Sequence, residues 1–368
     1  MHAQLCINHN TMTNLFSKYA KRLLSTLAAV VLVLSATSCE GLYEQEDCPT
    51  NLVRFVFDMN MEYADGFSAQ VKSVDLWIFE KSTGKLVRHF HERGSVLQKE
   101  GYTMELPTDI KAGDYTFLVW AGDIDNRHFK VNADNIEAIE HLTCRMERKY
   151  ADKGPYSDED LNLLFHGMLD AKLSDEYGTH TYTVYLMKDV NNVSLTLQHL
   201  SGQIEPGRLR ITMADNNGSM YHHNGLDESD ETITFHPWRT VSGTLDQYPD
   251  METFSRASRD GSADDGTSKY ADFMHTELTT ARLMADHNPI LSIYDTETDK
   301  TIFQIPVVKW ATQLRSARYQ NMDDQEYLDR ENNYNMMVFL QDNDEGGWIA
   351  VSVVINGWHI IDNGDYVM

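Results

Sequence analysis

Cys39 ends the run Leu34-Ser35-Ala36-Thr37-Ser38-Cys39 and closes an uncharged apolar stretch, Leu23 to Leu34, that follows Lys18, Lys21 and Arg22. A basic patch, an apolar core and small residues before a cysteine have the order of a secretion signal, and the thiol at its end reads as a lipid attachment point. The core is too short to span a bilayer comfortably, and small residues, not a basic flank, follow it. Translation from Met1 or from Met12 gives the same mature chain, the latter start discarding Cys6. Cys48 and Cys144 then remain in an oxidising compartment as a candidate disulfide; spacing alone leaves the bridge and two separate buried thiols both open.

Other residue pairs offer chemistry that their surroundings do not complete. His89 and His91, two apart on a predicted strand, share a face as metal ligands would, but no third His or Cys is near, so they read as solvated strand residues. His222-His223, beside Asn216-Asn217-Gly218, reads as a hairpin tip. Asp342-Asn343-Asp344-Glu345-Gly346-Gly347 opens like a calcium loop, yet Val353 stands where a bidentate Glu is required and strands flank it, so a turn is expected. An HExxH pair, a GxSxG elbow, a phosphate loop and paired CxxC motifs are absent from the sequence, and no carboxylate pair stands out for glycoside hydrolysis. The sequence therefore selects no catalytic residue, metal site or cofactor, and the expectation is a protein that is not an enzyme. Trp77, Trp120, Trp238, Trp310, Trp348 and Trp358 could stack on sugars, but most sit in apolar alternation and read as core, with Trp238 in His236-Pro237-Trp238 set apart.

Composition bounds the partners. Removing residues 1–38 takes three basic residues and no acidic one, leaving 28 Lys and Arg against 56 Asp and Glu, a net charge of −28. Such a field repels phosphate and anionic lipid, so nucleic acid is excluded as a partner and membrane contact falls to the acyl group. About 330 mature residues favour two domains over one.

The elements that must position these residues are strands. Val53, Phe55, Phe57, Met59 and Met61 alternate with polar residues from Asn51 onward, and Val71–Glu80 and Lys85–His91 flank a Gly-containing hairpin turn at residues 81–84. Asp114–Trp120 is an apolar, aromatic strand. Ile136, Ile139, Leu142 and Met146 have helical spacing and predict a helix over 135–149. Strands follow at 179–187, 193–197, 208–213, 232–235, 276–283, 290–294, 301–307, 334–340 and 348–355, with a polar loop at 255–268 and helices near 313–319 and 326–330. Lys188-Asp189-Val190-Asn191-Asn192 interrupts the strands and is taken as the boundary. The reading is a signal peptide over 1–38, an acidic tether over 39–50, and two domains over 51–188 and 189–368, all-β and antiparallel, with a few short helices.

The segment before Cys39 resembles the bacterial lipoprotein signal, in which a diacylglyceryl group is attached to the cysteine and cleavage leaves it N-terminal; several acyl chains make such an anchor effectively permanent. The acidic run after it, Glu40 to Asp47, resembles a signal for export to the outer face. The mature chain resembles the anchoring, or minor, subunits of the type V fimbriae of Gram-negative bacteria, the FimB- and Mfa-type fimbrial lipoproteins. The segments that carry the likeness are Cys48-Pro49, Val53–Phe57, Val74–Phe79, Gly113–Gly122, Leu186–Val193, Tyr327–Tyr334 and Ile355–Trp358. The resemblance implies two transthyretin-like β-sandwich domains in tandem, a lipid on Cys39 in the outer membrane, and a fimbrial stalk subunit as partner, met by strand addition at an open sheet edge. It also implies that the chain limits fibre length and faces outward. A base subunit cannot lose its first strand without losing its lipid, so residues 51–61 are expected to stay in place and the last strands to meet the partner. The rival reading is a surface glycan-binding lipoprotein.

Overall fold

The computed structural model describes residues 49–133, 136–200, 202–244, 271–344, 346–355 and 358–361. The strand Thr50–Val56 buries Val53 and Phe55 and turns Arg54 outward, as its alternation requires. It lies in the middle of a three-stranded sheet, parallel to Thr179–Tyr185 on one side and antiparallel to Thr103–Glu105 on the other. A five-stranded sheet packs against it, in the order Met187–Lys188, Leu164–Leu173, Gly113–Gly122, Ser73–Glu80 and Leu86–Arg93. Its two central strands are apolar on both faces, and both faces are covered. Leu76, Ile78, Phe117 and Val119 meet Val53, Phe55 and Phe57 in one core. Trp77, Phe79, Leu118 and Trp120 point the other way, into a second core with Leu142, Cys144 and Met146. This two-sided burial explains why the 113–122 segment reads as an unbroken apolar run.

The second core continues between two six-stranded sheets. One runs Arg239–Gly243, Phe273–Ala281, Val190–His199, Asn333–Asp342, Trp348–Ile355, Trp358–Ile361; the other runs Lys300–Pro306, Ile290–Asp295, Leu209–Asp215, Ile233–Phe235, Gly154–Ser157, Lys149–Ala151. Val193, Leu195 and Leu197 from the first sheet and Ile211, Met213, Leu291 and Ile293 from the second are buried in that core. The architecture is all-β, in packed sheets with few helices. The halves also exchange strands: Gly154–Ser157 pairs in parallel with Ile233–Phe235, and Ser219–Tyr221 pairs with Thr143–Met146.

Three expectations need correction. Residues 135–149 hold no helix among those described: a 3-10 turn, Ile139–His141, leads to the strand Thr143–Met146. Leu142, Cys144 and Met146 are buried two apart, and Ile136 and Ile139 fit helical spacing by coincidence with that strand period. Asp189–Asn192 does not interrupt the strands, since Val190 opens one of the longest. The helix expected near 313–319 lies earlier, at Val307–Gln313, and Asp324–Arg330 forms the other, with Asp323 accepting a hydrogen bond from the Glu326 amide as its N-cap. The loop 255–268 lies outside the described residues, as do the signal and nearly all of the tether.

Candidate functional site

Cys39 and Cys48 lie outside the described residues. Cys144 is a free thiol on Thr143–Met146, fully buried, and burial pushes its pKa well above the ordinary thiol range. Such a thiol is chemically quiet in the folded chain.

Thr50, at the start of the first strand, donates its amide to the Gly178 carbonyl at 2.9 Å. From there the first strand is in register with Thr179–Tyr185 at seven positions, from Thr50 beside Thr179 to Val56 beside Tyr185. Tyr182 Oη donates to Asn51 Oδ1 at 3.2 Å, and Asn51 Nδ2 donates to the Ser174 carbonyl at the same distance. A strand with a partner on each side and its apolar face in the core is part of the domain, not a detachable appendage.

The other end of the chain differs. Trp358–Ile361 pairs antiparallel with Trp348–Ile355, and no further strand lies beside it among the described residues. Among the described residues its outer backbone groups have no strand partner, the arrangement that strand addition uses. The edge Leu86–Arg93, by contrast, is armed with charge: Arg88 pairs with Asp109 at 2.6 Å, and His89 and His91 share Asp75 Oδ1 at 2.8 and 2.9 Å, with Trp77 stacked on the His89 ring. Charged side chains blunt an edge against adventitious pairing.

Between the halves lies a polar junction that reading the sequence missed. The segments Asp189-Val190-Asn191-Asn192 and Asp329-Arg330-Glu331-Asn332-Asn333 meet where two parallel strands begin their pairing, Asn192 beside Asn333 with their side-chain amides bonded at 3.0 Å and the Asn192 backbone amide donating to the Asn332 carbonyl at 2.8 Å. Arg282 makes a bidentate pair with Asp329, at 2.9 Å from Nη2 to each oxygen and 3.0 Å from Nε to Oδ1, and donates from Nη1 to the Asn224 carbonyl at 2.7 Å. Asn224, held at a positive φ of 64° inside a tight turn, donates in turn to Asp189 Oδ1 at 2.8 Å. The turn predicted as a solvated hairpin tip at His222-His223 thus carries a buried ligand to the junction, and His166 Nε2 bonds the His222 carbonyl at 2.8 Å. Asp189 is fully buried and its Oδ2 has no hydrogen-bond partner among the described residues; burial, only partly offset by Arg282 at 4.0 Å, pushes its pKa up to about 7. Burial lowers His166 to about 4. Arg330 completes the junction by donating to the Asp58 carbonyl at 3.1 Å and lying 4.5 Å over the Tyr63 ring, so a helix of the second half grips the loop that follows the first strand. An aspartate shortly before an Asn-Asn pair in both segments, Asp189 with Asn191-Asn192 and Asp329 with Asn332-Asn333, was the available signal; the two lie over 130 residues apart and their pairing was not readable.

The tryptophans form no exposed stripe among the described residues. Trp77, Trp120 and Trp348 are buried, the last under the Arg208 guanidinium at 4.6 Å, while Trp238 and Trp310 are half-buried. Between Asn333–Asp342 and Trp348–Ile355, Asn343 Oδ1 accepts from the Gly347 amide at 2.8 Å, which closes the connection between the two strands. The described residues hold no cluster of three metal-binding side chains and no helix long and apolar enough to cross a membrane.

Packed sheets, a first strand paired on both sides and a closing strand paired on one side among the described residues define a class: an all-β sandwich protein. The chain belongs to the family of fimbrillin-A associated anchor proteins Mfa1 and Mfa2, whose model matches residues 45–364. A crystal structure of an adhesin candidate from Bacteroides thetaiotaomicron is 27% identical, with a TM-score of 0.68 over 86% of this chain and 99% of that one. A second structure from that organism, described as a candidate polysaccharide-binding protein, is 26% identical with a TM-score of 0.67 over 85% and 97%. The fimbrial anchor protein Mfa2 of Porphyromonas gingivalis shares the fold at 17% identity, TM-score 0.60, over 85% and 99%. No curated protein sequence matches the chain. The protein has a fimbria-associated role at the cell surface.

Proposed function

We propose that the chain is an outer-membrane lipoprotein, anchored by a lipid on Cys39 and facing outward, that fixes a fimbrial shaft to the cell and limits its length. The stalk subunit is met by strand contact at the open edge of Trp358–Ile361, while the first strand stays with the lipid. Residues 51–188 and 189–368 act as the two domains of this anchor, joined through the polar junction. The observation that carries the reading is the position of Thr50–Val56, paired on both sides within its own fold. A subunit that must keep its lipid end cannot give up that strand. Membership in the anchor family supports the same reading. Co-purification with a polymeric shaft tests it, and sequencing the N-terminus of shaft-bound protein should return Cys39; residues 39–61 missing from that material would overturn it.

The glycan-binding alternative draws on the similar Bacteroides structure described as a polysaccharide-binding candidate. The burial of Trp77, Trp120 and Trp348 counts against an aromatic binding stripe. Binding to a polysaccharide, without any shaft in the pull-down, would favour it.

A further inference from the structure

We propose that the first strand and its parallel neighbour form a mechanical clamp, so that tension between membrane and fibre loads their hydrogen bonds together instead of one after another. This rests on the anchor reading only for the source of the tension; the clamp itself is a property of the fold.

The direction of the pull decides how the ladder is loaded. Thr50 and Gly178 meet at one end of the three-stranded sheet, and the tether enters there, at Pro49. At the opposite end Val56 accepts from the Leu186 amide at 2.7 Å, and the chain passes directly through Met187–Lys188 into Val190–His199, one of the two central strands of a six-stranded sheet of the second half. The two strands are parallel, so a pull at Pro49 draws Thr50–Val56 toward its N-terminus while a pull from the second half draws Thr179–Tyr185 toward its C-terminus. Neighbouring strands drawn in opposite senses along their axes slide against each other. All seven registered positions are strained at once, and the barrier to rupture is that of the whole ladder. A pull perpendicular to the strands would open the same ladder one bond at a time, each at the cost of a single weak hydrogen bond.

The surroundings reinforce sliding resistance. Thr103–Glu105 holds the far side of the first strand at three positions. Phe55, stacked on Phe67 at 5.7 Å, and Phe57, edge-on to Phe165 at 4.9 Å, interlock the strand with the core, so sliding by one residue would turn every apolar side chain outward. The Arg330 grip on the Asp58 carbonyl ties the trailing end of the strand to the second half. Gly167 gives the crossing its closeness: a Cβ there would lie 2.8 Å from both the Tyr185 carbonyl and the Leu186 side chain.

Single-molecule pulling on the mature chain tests the clamp in two geometries, with Cys48→Ser throughout. One handle is fused at the N-terminus in both; the second is attached through Asp344→Cys, in a turn of the second half, or through exposed Tyr177→Cys, beside the entry point. The clamp predicts a rupture force several-fold higher through residue 344 than through residue 177, because the first shears the ladder and the second peels it. Equal forces, or a weaker 344 geometry, would overturn it. Both variants keep every clamp residue, and a cooperative thermal transition in each confirms the fold before pulling. Detachment of fibres from cells plays no part in this measurement, so a failed anchor reading would leave the force contrast standing.

Discussion

Arg282 compensates buried carboxylates at the junction, and its removal would leave Asp329 and Asp189 without their cation. Arg282→Met is expected to cost about 3–5 kcal/mol in urea unfolding, the cost of an uncompensated buried charge, and a second change, Asp329→Leu, to recover part of it. Asp189 makes the junction sensitive to pH. In the folded chain it holds its proton up to about pH 7, whereas an unfolded aspartate releases it near pH 3.9. Between those values the folded state binds more protons, so this carboxyl lowers stability as pH rises from about 4 to about 7. His166 acts in the opposite sense: its folded pKa of about 4 lies below the ordinary imidazole value, so its contribution is present above about pH 6.5 and lost as pH falls toward 4. Asp189→Asn should therefore gain stability relative to the parent as pH rises through 4 to 7, read as the difference between two melting series; a difference flat in pH would contradict the assignment. Cys144 should resist a thiol reagent in the native chain and react on unfolding without reductant. Failure to react even when unfolded would establish the bridge to Cys48.

The closing edge is the strand to remove, since Trp358–Ile361 pairs on one side alone among the described residues. Deleting residues 358–368 is expected to retain a cooperative thermal transition while abolishing co-purification with the shaft; retained co-purification would move the contact to another edge. Phe55→Ala in the first strand, by contrast, should cost about 3–5 kcal/mol, because a fully packed ring is lost. Most strands were legible from alternation: Thr50–Val56, the hairpin of Ser73–Glu80 with Leu86–Arg93, and Trp348–Ile355 all stand close to where apolar periodicity puts them. Residues 135–149 misled because Leu142 and Met146, four apart, satisfy both a helix and a strand, and Cys144 between them decides for the strand. Asp189 and Asn191 looked like loop residues because their compensating partners, Arg282 and Asn332, stand at the ends of strands distant in sequence. Sheet order, the exchange of Gly154–Ser157 for Ser219–Tyr221, and the role of Asn224 depend on pairings across long separations, which local pattern does not encode.

At the scale of the molecule, the anchor account places its two proposed functions on one load path. In that account the tether leads in beside Gly178, the halves meet at the junction, and the shaft is met at the edge of Trp358–Ile361. The net charge of −28 on residues 39–368 repels an anionic membrane, so the anchor account assigns the hold to the proposed lipid. The most direct test is Cys39→Ser in the native cell, with the protein and the fimbriae quantified in both the envelope and the medium. The anchor account predicts that the protein leaves the envelope and the fibres are shed with it. Fibres that stay on the cells while the substituted protein is released would contradict it.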